Sequence, residues 1–365
     1  MLSNVVTYYQ DLHRCPELSG EEQKTSQYIF DALTEQGYAP VRAGKTGVYA
    51  DLVSDPAAPW LLLRADMDAL PVTEATGLPY ASENPGVMHA CGHDGHVSML
   101  LAAAGELFGK PLPQNVRFLF QPSEENVKGA LWLLEDGAMP QNCAAAFAMH
   151  VWPNVPAGTL ATRVGPLMAS GDVLKFIFNG RSVHCAKRET GADALQAALA
   201  LANAFPRLEA LANGDGTMLF FGQLQGGTTH NIVAENAWIY GTLRSYSEES
   251  REKILAALET ECAAAAEKFG VTYEIINESA SPVLTNPGEL VEKVAKLFPD
   301  MDLDVPRTLA AEDFARYQKL APGAMLWIGV GDSVALHNEK FSVPEETLRA
   351  GVAAWQKIAG NDWTK

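Results

Sequence analysis

The sequence predicts an α/β protein, a mostly parallel-sheet domain interrupted by a smaller α+β domain. Three observations carry that prediction. Four apolar runs, at 60–63, 116–120, 144–149 and 324–330, are continuous where a half-exposed strand would alternate, the pattern of strands buried on both faces. Helical segments separate the first three of them, the order that builds a parallel sheet with crossover helices. Between about residue 168 and residue 282 the pattern changes to alternating strands and two helices in the order β-α-β-β-α-β. That order predicts a ferredoxin-like insert, an antiparallel sheet with both helices on one face. The expected division is therefore 1–167 with 283–365, and 168–282.

In chain order, residues 2–9 and 21–36 read as helices, the second with Ile29 and Leu33 at helical spacing and Gly37 just past its end. His13, between them, has no nearby partner and reads as structural. A strand at 48–53 and a turn at 56–59 lead into Trp60-Leu61-Leu62-Leu63, which ends at Arg64-Ala65-Asp66-Met67-Asp68. An alanine-rich helix at 98–108 precedes the strand 116–120, which ends at Gln121-Pro122-Ser123-Glu124-Glu125. After a helix-like 130–136, the third run delivers His150, and the fourth is followed by Leu336-His337-Asn338. Within the insert, strands are expected at 172–178, 218–224, 236–243 and 271–276, with helices at 192–205 and from the Ser247 cap to about 268.

Composition removes several function classes. A net charge of -17, from 27 Lys+Arg against 44 Asp+Glu, lacks the basic footprint of a nucleic-acid surface. No apolar run approaches the roughly 20 residues of a membrane span, and residues 1–4 lack the basic head and apolar core of a signal peptide. A cytoplasmic protein is expected. The five cysteines, at 15, 91, 143, 185 and 262, are odd in number and widely spread, so no disulfide framework is predicted and Cys91 is free to act as a thiolate. Neither a phosphate-binding Gly-x-x-x-x-Gly-Lys loop nor a strand-linked Gly-x-Gly-x-x-Gly is present.

Parallel sheets hold their sites outside the carboxyl ends of their strands, and Asp66, Asp68, Glu124, Glu125, His150 and His337 all fall there. The stretch His89-Ala90-Cys91-Gly92-His93-Asp94-Gly95-His96 adds three histidines, a thiol and an aspartate. Cys91 and His93 on a turning or extended segment can converge on one ion, with Asp94 available to accept a bond from an imidazole N–H. Taken alone, the same stretch is also compatible with an ordinary polar loop around one buried thiol. The donors exceed the needs of one zinc, and a pair of divalent ions about 3.5–4 Å apart is the economical reading. In an extended segment Glu124 and Glu125 point to opposite sides, so one can bind metal while the other serves as general base. In the insert, His184 is placed to donate to an oxyanion and Arg244 to clamp a carboxylate, although each is equally at home as a surface or ion-paired residue.

Together these motifs resemble the M20 family of metallopeptidases and amidohydrolases, nearest the branch of hippurate hydrolases, indole-acetyl-amino-acid hydrolases and N-acetyl-amino-acid deacetylases. The resemblance spans nearly the whole chain, from Leu12-His13-Arg14-Cys15-Pro16-Glu17-Leu18-Ser19 to Leu336-His337-Asn338. It implies a zinc-exopeptidase-like catalytic domain with a lid that also dimerises. It further implies that Cys91, His93, Glu125, His150 and His337 hold two ions of manganese, zinc, nickel or cobalt, with Glu124 as general base. Asp66 and Asp68 would stand behind the ligands. His184 would complete the site of the neighbouring subunit of a homodimer, and Asn231 and Arg244 would meet the carboxylate or oxyanion of the substrate. The implied reaction removes an acyl group from the nitrogen of an amino acid. A dipeptidase or carboxypeptidase is the alternative within the fold; a non-catalytic metal-dependent binding protein has no use for Glu124. Two departures, Cys185-Ala186-Lys187-Arg188-Glu189 after His184 and the absence of Pro-Asp after Asn231, lie in the lid and leave the substrate class open.

Overall fold

The computed structural model describes residues 4–212 and 216–365. Its chain forms two compact units, one of Met1–Leu167, Thr285–Pro306 and Asp313–Lys365, the other of Met168–Leu284 and Arg307–Glu312. The chain begins with α1 (Asn4–Arg14), α2 (Gln23–Glu35), β1 (Val41–Ala43), β2 (Gly47–Leu52), β3 (Trp60–Asp66) and α3 (His93–Leu107). It continues with β4 (Asn115–Gln121), α4 (Gly129–Glu135), β5 (Cys143–Trp152), β6 (Leu160–Ala161) and β7 (Gly165–Met168). The second unit supplies β8 (Ser170–Asn179), α5 (Ala194–Ala212), β9 (Met218–Gly226), β10 (Asn236–Ser245), α6 (Glu248–Phe269) and β11 (Thr272–Ser281). The return comprises β12 (Leu284–Asn286), α7 (Gly288–Leu297), β13 (Gly323–Gly329) and α8 (Glu345–Gly360).

The first unit is built on a seven-stranded sheet in the order β1-β2-β4-β3-β5-β13-β6. Its central strands β4, β3, β5 and β13 are parallel. β2 and β6 flank them antiparallel. β4 and β13 are buried at every position, which is why β13 runs apolar without alternation and why the polar residues of β4, Asn115, Arg117 and Gln121, are tied up in hydrogen bonds. The apolar residues of α3 and the stripe Leu348, Val352, Trp355 and Ile358 of α8 share one core with the sheet. The parallel strands run in one direction, so Asp66, the Glu124–Glu125 turn and His150 emerge at one edge.

The second unit is a four-stranded antiparallel sheet in the order β11-β8-β10-β9. Leu174, Phe176 and Phe178 of β8 alternate inward against Leu201 and Leu208 of α5 and Ile254 and Leu258 of α6. The fold class therefore stands as the sequence predicts: mixed α/β with a parallel centre, and a separate antiparallel α+β unit.

Three boundaries differ. α3 starts at His93, not at 98, because its first turn is polar and faces the site while the apolar pattern begins only at Val97. α5 continues through Pro206 to Ala212; the proline is exposed, and the buried stripe Leu201, Ala204 and Leu208 carries the helix past it. α1 runs on to Arg14, past the expected end at 9, because Leu12 extends the buried stripe of Val5 and Tyr9; positions 2 and 3 of that expected helix lie outside the described residues. No helix among the described residues is long and apolar enough to cross a membrane.

Candidate active site

The approach to α3 depends on Gly92. Its φ is +84°, and a Cβ there would lie 2.5 Å from Val151 Cγ2 and 3.1 Å from Phe341 Cε1. Only glycine lets the chain turn this close to β5, and the turn brings Cys91 and the first helical residue, His93, to the same place. His150 arrives from β5. Its Nδ1–H donates to Val151 O at 2.7 Å, which leaves the Nε2 lone pair directed at Cys91 Sγ, 3.6 Å away. Glu125 Oε1 stands 3.9 Å from His93 Nε2 and 3.5 Å from His337 Nε2. His337 itself has φ +66° and is tied down by its N–H donating to Ala90 O at 2.8 Å.

Ligand atoms of Cys91, His93 and His150 lie within 4.8 Å of one another, as do those of Cys91, Glu125 and His337, and those of His93, Glu124 and Glu125. His93 Nε2 and Glu125 Oε1 are buried and have no hydrogen-bond partner. Buried polar atoms are rarely left unpaired. A thiol, imidazoles and a carboxylate around two such atoms are the donor chemistry of zinc, manganese and related divalent ions, so the residues fit a metal pair with Cys91 common to two groups.

Behind the donors stand five buried carboxylates and histidines whose bonds sequence alone could not connect. Asp68 accepts from Ser19 Oγ at 2.6 Å, from the backbone N–H of Glu124 and Glu125 at 3.1 and 3.0 Å, and faces His93 Nδ1 at 3.3 Å. Asp66 pairs with Arg64 at 2.6 Å and with His96 Nδ1 at 2.5 Å. His96 Nε2 accepts from Val151 N–H at 2.8 Å, so both its nitrogens are used and it braces the site without ligating. Asp94 accepts from His13 Nδ1 at 2.6 Å, and His13 Nε2 reaches Glu74 Oε1 at 3.2 Å. His13 thus has two partners, both remote in sequence, in keeping with a structural residue that has none nearby in the chain. The glutamate doublet also differs from expectation: it lies in a turn entered through Ser123 at φ +52°, so strand alternation does not set the direction of its side chains.

The remaining expected residues are in the second unit. His184 is exposed, its Nδ1 accepts from Ala186 N–H at 3.2 Å, and its backbone bridges to Ile232. Asn231 O accepts from Cys185 N–H at 2.9 Å, which places Asn231 beside His184. Arg244 lies on β10 opposite Gly171, at the end of the strand away from Asn236. Its guanidinium covers the glycine so closely that a Cβ at position 171 would lie 2.3 Å from Nη1. Burial lowers the pKa of the Arg244 guanidinium, and the nearby Asp172 charge works against that shift.

Residues 62–361 match the model of Peptidase family M20/M25/M40. The chain belongs to this family. It is 36% identical to a Synechocystis sp. protein named as a probable hydrolase, over 98% of this chain and 96% of the other. It is 32% identical to an N-acetyldiaminopimelate deacetylase of Streptococcus pneumoniae, over 94% and 95%. The crystal structure of the Bacillus subtilis YXEP protein, titled a dinuclear metal binding peptidase of the M20 family, superposes with a TM-score of 0.82 at 29% identity, covering 98% of this chain and 97% of that one. This M20 chain is accordingly an amide hydrolase with a metal-binding site.

The electrostatics of the M20 site favour cations. Burial pushes the Cys91 thiol well above its usual value, and the Glu125, Glu124 and Asp66 carboxylates push it further. For His93 burial works downward, but Asp66, Asp68 and Glu125 outweigh it and raise the imidazole to about 10. His150 is held well below its usual value by burial and by His96. Ions bound at this carboxylate cluster would compete with the protons of Cys91 and His93, so metal binding there would release protons.

Proposed function

We propose that this protein removes the acyl group from the nitrogen of an amino acid, using two divalent ions held by Cys91, His93, Glu125, His150 and His337. The observation that carries the reading is the convergence of these donors on two buried atoms, His93 Nε2 and Glu125 Oε1, that have no other partner. Manganese or zinc suits the set, with nickel or cobalt as further possibilities. When bound, such ions acidify a water and polarise the amide carbonyl. Glu124, buried and set by its N–H bond to Asp68, takes the proton of the attacking water and returns it to the leaving nitrogen. Asp66, Asp68 and Asp94 fix the orientation of the histidines and of the glutamate turn.

Residues 168–282 act as the lid, on a catalytic domain of 1–167 and 283–365. Arg244 holds the free carboxylate of the substrate through its guanidinium. His184 and Asn231 supply donors for the oxyanion, and the geometry of β10 supports their coming from a second copy. From Asn236 to Arg244 the strand runs roughly 26 Å at about 3.3 Å per residue, too far for one lid to present both ends to one substrate. A homodimer formed along the outer strand β9 meets this need. β9 has no neighbour on one side and exposes Phe220 and Leu224, 56% and 43% accessible. We place the enzyme in the cytoplasm, where its five free cysteines stay reduced.

The relatives named for N-acetyldiaminopimelate make a small acyl group on an amino acid the first substrate to test. The experiment is amine release from N-acetyl, N-benzoyl and indole-acetyl amino acids and from dipeptides, by metal-stripped protein with and without added manganese or zinc. Cleavage of one acyl class restored by metal is the expected result. Faster cleavage of dipeptides would move the assignment to a dipeptidase; silence across the panel with metal bound would sink it.

A further inference from the structure

Two buried carboxylates converge on the turn that carries the glutamate doublet, and only one of them belongs to the metal site. The N–H groups of three consecutive residues point at them. Ser123 N–H donates to Glu22 Oε1 at 2.9 Å, Glu124 N–H to Asp68 Oδ1 at 3.1 Å and Glu125 N–H to Asp68 Oδ2 at 3.0 Å. Glu22 precedes α2, outside the motifs that carry the family resemblance, and its carboxylate bonds to Gly20, Thr46 and Ser123, none of them a proposed metal ligand.

Its binding is nonetheless complete. Oε1 also accepts from Gly20 N–H at 2.7 Å and Ser123 Oγ at 3.3 Å, and Oε2 accepts from Thr46 Oγ1 at 2.6 Å. Glu22 is wholly inaccessible to solvent, and a carboxylate there is costly unless donors surround it. The strain it opposes is local. Ser123 has φ +52°, a conformation unfavourable for a non-glycine residue that persists where its surroundings over-determine it. Ser123 O then accepts from Lys128 N–H at 3.2 Å and Gly129 N–H at 3.1 Å, closing the turn. At Gly129 a Cβ would fall 1.5 Å from Pro122 O, so the turn cannot relax on that side by accepting a larger residue.

We infer that Glu22 is a positioning residue: by holding Ser123 in the left-handed conformation it aims the Glu124 carboxylate at the scissile amide. The inference rests on Glu124 being the general base. A rotation at Ser123 swings the Glu124 carboxylate by ångströms, and misplacement of about 1 Å costs on the order of a hundredfold in rate.

Length, not charge, is what the role requires. Glu22→Gln keeps the oxygen facing Ser123 and offers its amide to Thr46 Oγ1, which can accept. Glu22→Asp keeps the charge but is one methylene short of spanning Ser123 and Thr46. The expected result is kcat within about threefold of the parent for Glu22→Gln and lowered about tenfold or more for Glu22→Asp, with KM within about twofold and metal content unchanged in both. Parent kcat in Glu22→Asp, a loss in Glu22→Gln as large as in Glu22→Asp, or a loss that tracks missing metal would each overturn the proposal. Should Glu22→Asp not fold, Thr46→Val, which removes the donor on Oε2, is expected to lower kcat a few-fold at constant KM, and an unchanged kcat overturns it. Glu124→Gln measured alongside separates the two readings. Retained turnover in Glu124→Gln defeats the base assignment, whereas an inactive Glu124→Gln with a fully active Glu22→Asp defeats the role of Glu22 alone.

Discussion

Replacing Glu124 by glutamine preserves the shape of the side chain and removes its ability to take a proton. Turnover is expected to fall by about 10²–10⁴ while metal content stays near the parent value, because the five proposed ligands are untouched. Lost metal with retained activity, measured by elemental analysis beside the assay, would exchange the roles of the two glutamates. A second single-residue expectation concerns pH. Burial alone would lower His13, but Asp94 and Glu74 outweigh it and raise the imidazole to about 9. The rings of Tyr9 and Tyr80 also pack against it, and the carboxylates of Asp94 and Glu74 are the charges bonded to it. Because the folded value exceeds the unfolded one of about 6.5, the contribution of His13 is fully present below pH 6.5 and is lost as pH rises towards 9. The loss is on the order of 3 kcal/mol. His13→Gln should flatten the fall of Tm across that window, and an identical fall in the variant would contradict it. These two residues also mark the limit of what sequence discloses. The glutamate doublet was legible as a candidate because carboxylates at a strand's carboxyl end, beside thiol and imidazole donors, have few other uses, whereas the choice of Glu124 as base came only with the family resemblance. The partners of His13, and the bond from Val151 to His96, join residues far apart in the chain and leave no local pattern.

At the scale of elements, the pairing of β8 with β10 sets the place of Arg244, the proposed substrate clamp. Gly171 and Arg244 are register partners, and the missing side chain of the glycine is the space that the guanidinium occupies. Gly171→Ala is therefore expected to displace Arg244 and raise KM about tenfold with kcat changed far less, since a contact to the non-reacting carboxylate is largely uniform binding. Unaltered KM would remove Arg244 from the substrate site. The sequence read the parallel strands well because burial on both faces writes itself as an apolar run without alternation, as in the Leu61–Leu63 stretch of β3, in β5 and in β13, and as Phe118-Leu119-Phe120 in β4. It read helix beginnings poorly. The first turn of α3 is His93-Asp94-Gly95-His96, polar because it faces the site, so function masks the apolar composition that marks the rest of this buried helix. Helices α7 and α8 carry usable stripes, Leu290, Val291 and Val294 in one and Leu348, Val352, Trp355 and Ile358 in the other, but they belong to a stretch read only for its metal-site histidine.

For the whole molecule, the decisive question is whether one chain completes one site. His184 and Asn231 lie together near one end of the second unit's sheet and Arg244 near the other. If the lid of a second copy supplies His184 to a site whose Arg244 is its own, the two residues are interchangeable between chains. His184→Ala and Arg244→Ala homodimers should each be weak. In a mixed dimer, the His184→Ala chain keeps its Arg244 and receives an intact His184 from the other chain, so one site of the two is whole. With random pairing, half the dimers are mixed and half their sites intact, so co-expression of the two variants should restore about a quarter of the parent activity. Activity that stays at the level of the separate variants, in a sample shown by mass to contain the mixed dimer, would mean that each chain completes its own site. Activity restored on co-expression and lost on dilution to monomers would instead tie catalysis to the assembly, and make the exposed β9 edge part of the enzyme's chemistry as well as of its association.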